Sequence, residues 1–179
     1  MFGALLFPEG PPAPGAGKAE AYETTPPPAA GEPVVAGIDQ LAFLVGGVWV
    51  AQSGVSTVCE RVTWDAEHAF LLTEVTQMVG GKVAGQARGS FGYSPTRRYL
   101  MSGATSTSGT YTGGYETGST DGASWVFAMT IGSGATIQNV QVTMSNPSPD
   151  ALVIAQATLQ GGAWVTQSSV TYTRRTSGC

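Results

Sequence analysis

From Gly47 to Arg174 the chain repeats one pattern. Apolar and polar side chains alternate over a run of several residues, and a turn built on Gly, Pro, Asn or Asp follows. A period of two belongs to a strand, whose successive side chains point to opposite faces. The runs cover 48–52, 57–64, 70–79, 83–93, 99–105, 110–117, 123–130, 137–145, 151–159 and 163–174. Between them lie Asp65-Ala66-Glu67-His68, Gly80-Gly81-Lys82, Ser94-Pro95-Thr96-Arg97, Ser108-Gly109, Asp121-Gly122, Gly132 with Gly134, Asn146-Pro147-Ser148-Pro149-Asp150 and Gly161-Gly162. Turns of this kind join antiparallel neighbours. No stretch after Val45 has the length and period of the crossover helix that parallel pairing requires. A meander of so many strands leaves two long edges unless it closes on itself. The pattern therefore predicts an all-β fold: a closed up-and-down antiparallel β-barrel of about ten strands.

The first 36 residues are of a different kind. They hold Pro8, Pro11, Pro12, Pro14, Pro26, Pro27, Pro28 and Pro33. Proline fixes φ and removes a backbone donor, so neither helix nor ladder runs through such a segment. Residues 1–36 read as a disordered Pro/Ala-rich arm, and 37–179 as the barrel domain. The apolar patch from Met1 to Phe7 lacks the positive flank and full apolar run of a signal peptide. It fits the tail of one if translation starts upstream, so cytoplasmic and exported locations both stay open. Residues 39–45 read as one or two helical turns, with Asp39 as N-cap and Gly46-Gly47 as the stop. So short a helix is not stable alone, and its apolar side must rest on something.

Composition narrows the function classes. Charged residues make up 11% of the chain, against ~25% in a typical domain. The net charge is -4, and no basic stripe exists, so a nucleic-acid partner is not expected. No apolar stretch approaches the ~20 residues of a spanning helix. Cys59 sits inside a strand and Cys179 is the last residue. A disulfide pinning the C-terminus is one reading; a small buried thiol at Cys59 is the favoured one. His68 is the sole histidine and falls in a turn, where a solvated side chain is the ordinary outcome. One His and two distant Cys do not make an ordinary zinc site. No Gly-x-Ser-x-Gly elbow is present. The glycine-rich run 103–118 opens no helix and carries no Lys, so it is not a phosphate loop. No catalytic residue, metal ligand or cofactor is assigned.

The informative charges lie within strands. On the third strand Phe70, Leu72, Glu74, Thr76 and Met78 share one face, and Leu71, Thr73, Val75, Gln77 and Val79 the other. Both faces carry apolar residues, as expected when one lines a cavity and the other sits over a second layer or the outer wall. A buried charge costs several kcal/mol unless paired. If Glu74 and Arg88 point inward, they pair with each other or hold the polar end of a ligand; otherwise they face water.

The segment Leu44-Val45-Gly46-Gly47-Val48-Trp49 resembles the start of calycin barrels, a group that includes lipocalins. There a short helix precedes Gly-x-Trp on the first strand. Glu60-Arg61-Val62-Thr63-Trp64 followed by Phe70-Leu71-Leu72 is similar to bacterial lipocalin-like domains of unknown function. So are Gly92-Tyr93-Ser94-Pro95-Thr96, Asp121-Gly122-x-x-Trp125 and Val170-Thr171-Tyr172-Thr173-Arg174. The resemblance covers about residues 38–175. It implies that Trp49 closes one end of the barrel beneath Arg174 or Arg175. A related group of small barrels binds haem through a late histidine, and none follows His68. The expected function is binding of a small apolar or amphipathic molecule in the barrel, which by the resemblance enters at one mouth beneath or beside residues 39–45; the strand charges Arg61, Glu74 and Arg88 are the candidate polar contacts, and Tyr111 and Trp125 the walls. The alternatives are an enzyme using an interior carboxylate such as Glu74 as general base, and an interaction module with a filled barrel. Oligomeric state is not legible.

Overall fold

The computed structural model describes residues 37–120 and 123–177; the arm proposed for residues 1–36 and the Asp121-Gly122 turn lie outside them. One 3-10 helix, η1 (Ile38–Leu44), precedes ten strands: β1 (Val48–Ser53), β2 (Ser56–Trp64), β3 (Leu71–Val79), β4 (Lys82–Ser94), β5 (Tyr99–Ser106), β6 (Tyr111–Thr120), β7 (Ser124–Ser133), β8 (Thr136–Ser148), β9 (Ala151–Gln160) and β10 (Ala163–Arg175). Each strand pairs antiparallel with its neighbour in sequence, and β1 pairs with β10, which closes the barrel. Every predicted strand is present, with ends moved by a few residues.

The helical segment differs in kind from the expectation. It begins at Ile38, Gly37 occupies the N-cap position, and no side chain caps it; Asp39 lies in the first turn instead. The buried residues are Ile38, Leu41 and Leu44. A spacing of three matches the 3.0 residues per turn of a 3-10 helix, so all three side chains stay on the face that meets the barrel. Gly47 then has to be glycine: its φ is +74°, and a Cβ there would sit 2.6 Å from the Arg175 carbonyl oxygen.

Register fixes which faces are interior. Trp49 is fully buried and pairs with Glu60, which pairs with Val75, which pairs with Ala87. The inner face of β3 is therefore Leu71, Thr73, Val75 and Gln77. The core is built from Trp49, Phe91, Leu100, Trp125, Phe127, Met129, Met144, Leu152 and Tyr172, all fully buried or nearly so, with Leu41 and Leu44 packed against them. Phe91 and Phe127 meet edge to face at 6.4 Å between centroids. The closing seam is the shortest ladder. It has three rungs, Val48 with Arg175, Trp49 with Arg174 and Val50 with Thr173, where β2 and β3 share nine.

Candidate functional site

The two ends of the barrel are built differently. At one end η1 is tied down from several sides. The Trp49 indole Nε1 donates to the Leu44 carbonyl at 2.9 Å. The Trp125 indole Nε1 donates to Gln40 Oε1 at 2.8 Å, and the Trp125 ring stacks on Phe43 at 5.4 Å. Arg174 reaches across from β10. Its guanidinium donates to the carbonyls of Phe43 and Val45, and its Cζ lies 4.6 Å from the centre of the Trp49 ring. Its Nε stands 3.7 Å from a carboxylate oxygen of Asp150, an ion pair too long for a hydrogen bond. Of the two arginines named from sequence, Arg174 holds the Trp49 position. This end is sealed.

The other end is ringed by the hairpins at 54–55, 80–81, 107–110, 134–135 and 161–162. There the inward side chains are small or neutral. Register turns Ser56, Val58 and Gln77 inward, together with Ala87, Ala104, Thr112, Gln138 and Gln156. Gln77 Nε2 donates to Ser56 Oγ at 3.3 Å. Gln77, Ala104, Ile131 and Gln156 are only half-buried although they face the interior, so solvent enters past them. Beneath them Val58, Met129 and Val140 form an apolar floor. Thr112 is 5% exposed, and its hydroxyl oxygen has no hydrogen-bond partner. Among the described residues, no charged side chain faces this half of the interior. The inward carboxylates, Glu60 and Glu116, lie toward the sealed end. Glu116 accepts a hydrogen bond from the Leu100 amide at 3.1 Å. Burial raises its carboxyl above the usual range, and the Leu100 bond opposes that in part.

The five residues singled out from sequence do not meet inside the barrel. Arg61, Glu74, Arg88 and Tyr111 lie on its outer wall. Arg61 pairs with Glu74, Glu74 with Arg88, Arg88 with Thr105 and Thr105 with Tyr111, so they form one rung across five strands. Arg88 and Glu74 make an ion pair at 3.3 Å, with side chains 83% and 64% exposed. The pairing expected for an inward placement thus forms in water, where it costs no desolvation. The Tyr111 ring lies over Gly132 on the outside. Trp125 alone is interior, fully buried beside η1. Glu74, facing solvent, is not an interior base. Sequence reasoning missed the neutral lining, Gln77, Thr112, Gln138 and Gln156, because uncharged polar residues on strands carry no distinctive spacing.

Two further features belong to the wall. Cys59 is disulfide-bonded, which corrects the free-thiol reading; Cys179, the other cysteine of the chain, lies outside the described residues. Cys59 packs with Val48 and Val50 on the outer face. A shallow cleft of about 220 Å³ opens there, lined by Val50, Gln52, Thr57, Cys59, Met78, Gly81 and Arg175. His68 is exposed in its turn and stacks on Trp64 at 5.3 Å. Among the described residues, no three His, Cys, Asp or Glu side chains group as metal ligands would, and no helix is long and apolar enough to cross a membrane. No protein-family model and no curated protein matches the chain.

Proposed function

We propose that the open half of the barrel binds a small, uncharged, largely apolar molecule. One observation carries this reading: a solvent-reached interior with an apolar floor and a neutral hydrogen-bonding lining, in which the buried Thr112 hydroxyl has no protein partner. A buried polar atom without a partner costs roughly 1–3 kcal/mol, and a ligand hydroxyl or carbonyl would satisfy it. The apolar part of the ligand rests on Val58, Met129 and Val140, and its polar end meets Gln77, Thr112 or Gln156. With no cation facing this half of the interior among the described residues, a carboxylate or phosphate ligand would lose its hydration with none of them to replace it. Ten strands give more width than the eight that already enclose a ligand in lipocalins. We read the capped end, with Trp49 under Arg174, as the calycin arrangement that the sequence resembles.

The test is native mass spectrometry of the protein with lipid and metabolite extract, paired with titration of a medium-chain alcohol against the matched carboxylate. The alcohol is expected to bind at least ~10-fold more tightly, about 1.4 kcal/mol. Ala104→Trp, which fills the lining at a half-buried position, is expected to abolish binding while the far-UV spectrum is kept. Preference for the carboxylate, or alcohol binding untouched by Ala104→Trp, refutes the reading.

A further inference from the structure

Charge is distributed along the barrel axis with a strong bias. The turns at the sealed end carry Asp65, Glu67, His68, Arg97, Arg98 and Asp150. The five hairpins around the mouth carry Lys82 alone among the described residues. Those same hairpins hold Val55 at 76% exposed, Val83 at 62%, Leu159 at 60%, Ile137 at 57%, Trp164 at 46% and Val165 at 41%.

From this we propose that the mouth end docks on the surface of a zwitterionic lipid bilayer. The inference rests on the ligand site proposed above and names where its ligand would enter and leave. Exposed apolar side chains cost little when scattered, but gathered at one end they mark an interaction surface. Here they stand on four separate hairpin tips around the end of the barrel. A protein partner, including a second copy of this chain, needs a contiguous apolar centre to exclude water, whereas the side chains between these tips include the polar Gln77, Gln138 and Gln156. A bilayer surface can take apolar side chains from separate tips without their being contiguous. Trp164 suits the headgroup level, where an aromatic ring meets apolar and wet surroundings together. The lack of a basic cluster means that anionic lipid is not required, since that attraction comes from several Lys or Arg side chains.

Flotation with phosphatidylcholine vesicles tests this on the full chain. Binding is expected to persist between low and high salt, and brominated phosphatidylcholine is expected to quench a fluorescence component that Trp164→Phe removes. The triple variant Val83→Glu, Ile137→Glu, Leu159→Glu changes only exposed side chains and is expected to weaken flotation at least ~10-fold, given ~25 cal/mol per Å² of apolar surface inserted. Leu72→Glu, at an exposed apolar position on the outer wall away from the mouth, is expected to leave it unchanged. Absence of flotation overturns the proposal, as does flotation that needs anionic vesicles. Self-association that the triple variant abolishes, without vesicle binding, assigns the tips to a second copy and overturns it too. A protein that binds the alcohol in solution but no vesicle loses this inference and keeps its ligand site. One that floats but binds no alcohol loses the ligand site.

Discussion

Replacing Arg174 by Ala should uncouple the short helix from the barrel. The Arg174 side chain is 24% exposed and gives hydrogen bonds to two backbone carbonyls of the helix end. A hydrogen bond from a charged donor contributes ~1.5–3 kcal/mol, and a largely desolvated cation over an indole face ~1–2 kcal/mol. The ion pair with Asp150, whose side chain is 75% exposed, adds ~0.5 kcal/mol at most. These terms are not additive, since all depend on one guanidinium. A loss of about 3 kcal/mol is expected for the truncation, with a fall in Tm of about 10 °C for a domain of this size. The local signature is more specific than the Tm. Hydrogen exchange should speed up in residues 38–45 more than in the strands, because the helix has no side-chain cap of its own. Arg174→Lys keeps the charge but loses the planar fork, and should recover less than half of the loss. A stability change under 1 kcal/mol for Arg174→Ala, or unchanged exchange in 38–45, would refute the argument that this arginine seals the barrel.

Four further outcomes follow from the geometry. The raised carboxyl of Glu116 means that the folded state holds its proton to higher pH than the unfolded chain; its stabilising contribution is complete below about pH 4.5 and is lost as pH rises through the folded value. Glu116→Gln should therefore raise Tm at pH 7, leave it unchanged at pH 4, and flatten the profile between them. Gly114→Ala should destabilise by roughly 1–3 kcal/mol in denaturant titration, because the added Cβ would meet the Ala128 carbonyl and the Met129 backbone. Gly132→Ala should cost less, since only the half-exposed Tyr111 ring has to swing aside. Reduction of the Cys59 disulfide should lower stability by roughly 2–4 kcal/mol, read as a lower Tm in dithiothreitol.

The strand run was legible because alternation and glycine turns are local signals. The placement of Arg61, Glu74 and Arg88 was not, because a shared face says nothing of which face is inside. Leu72 and Met78 on one side of β3 look as apolar as Leu71 and Val75 on the other, and only register with Trp49 separates them. Burial cost contained the answer: three charges on one rung are cheap in water and expensive in a core. The 3-10 form of η1 was written in the spacing Ile38, Leu41, Leu44, but Asp39 resembles an N-cap more than Gly37 does. The difference between the two ends was also present in the turns, which alternate between charged and neutral along the chain. It becomes visible once alternate turns are known to share an end.

The ladder order bears on how the chain reaches its final form. Nine of the ten strand pairs join sequence neighbours, so each hairpin can zip from its own turn. The exception brings Val50 to Thr173, a contact whose loop entropy must be met before it contributes anything. Joining first strand to last is therefore the slow, late event. The Trp49 indole, sitting on that junction, should gain its native emission only then, after the strand signal has already formed.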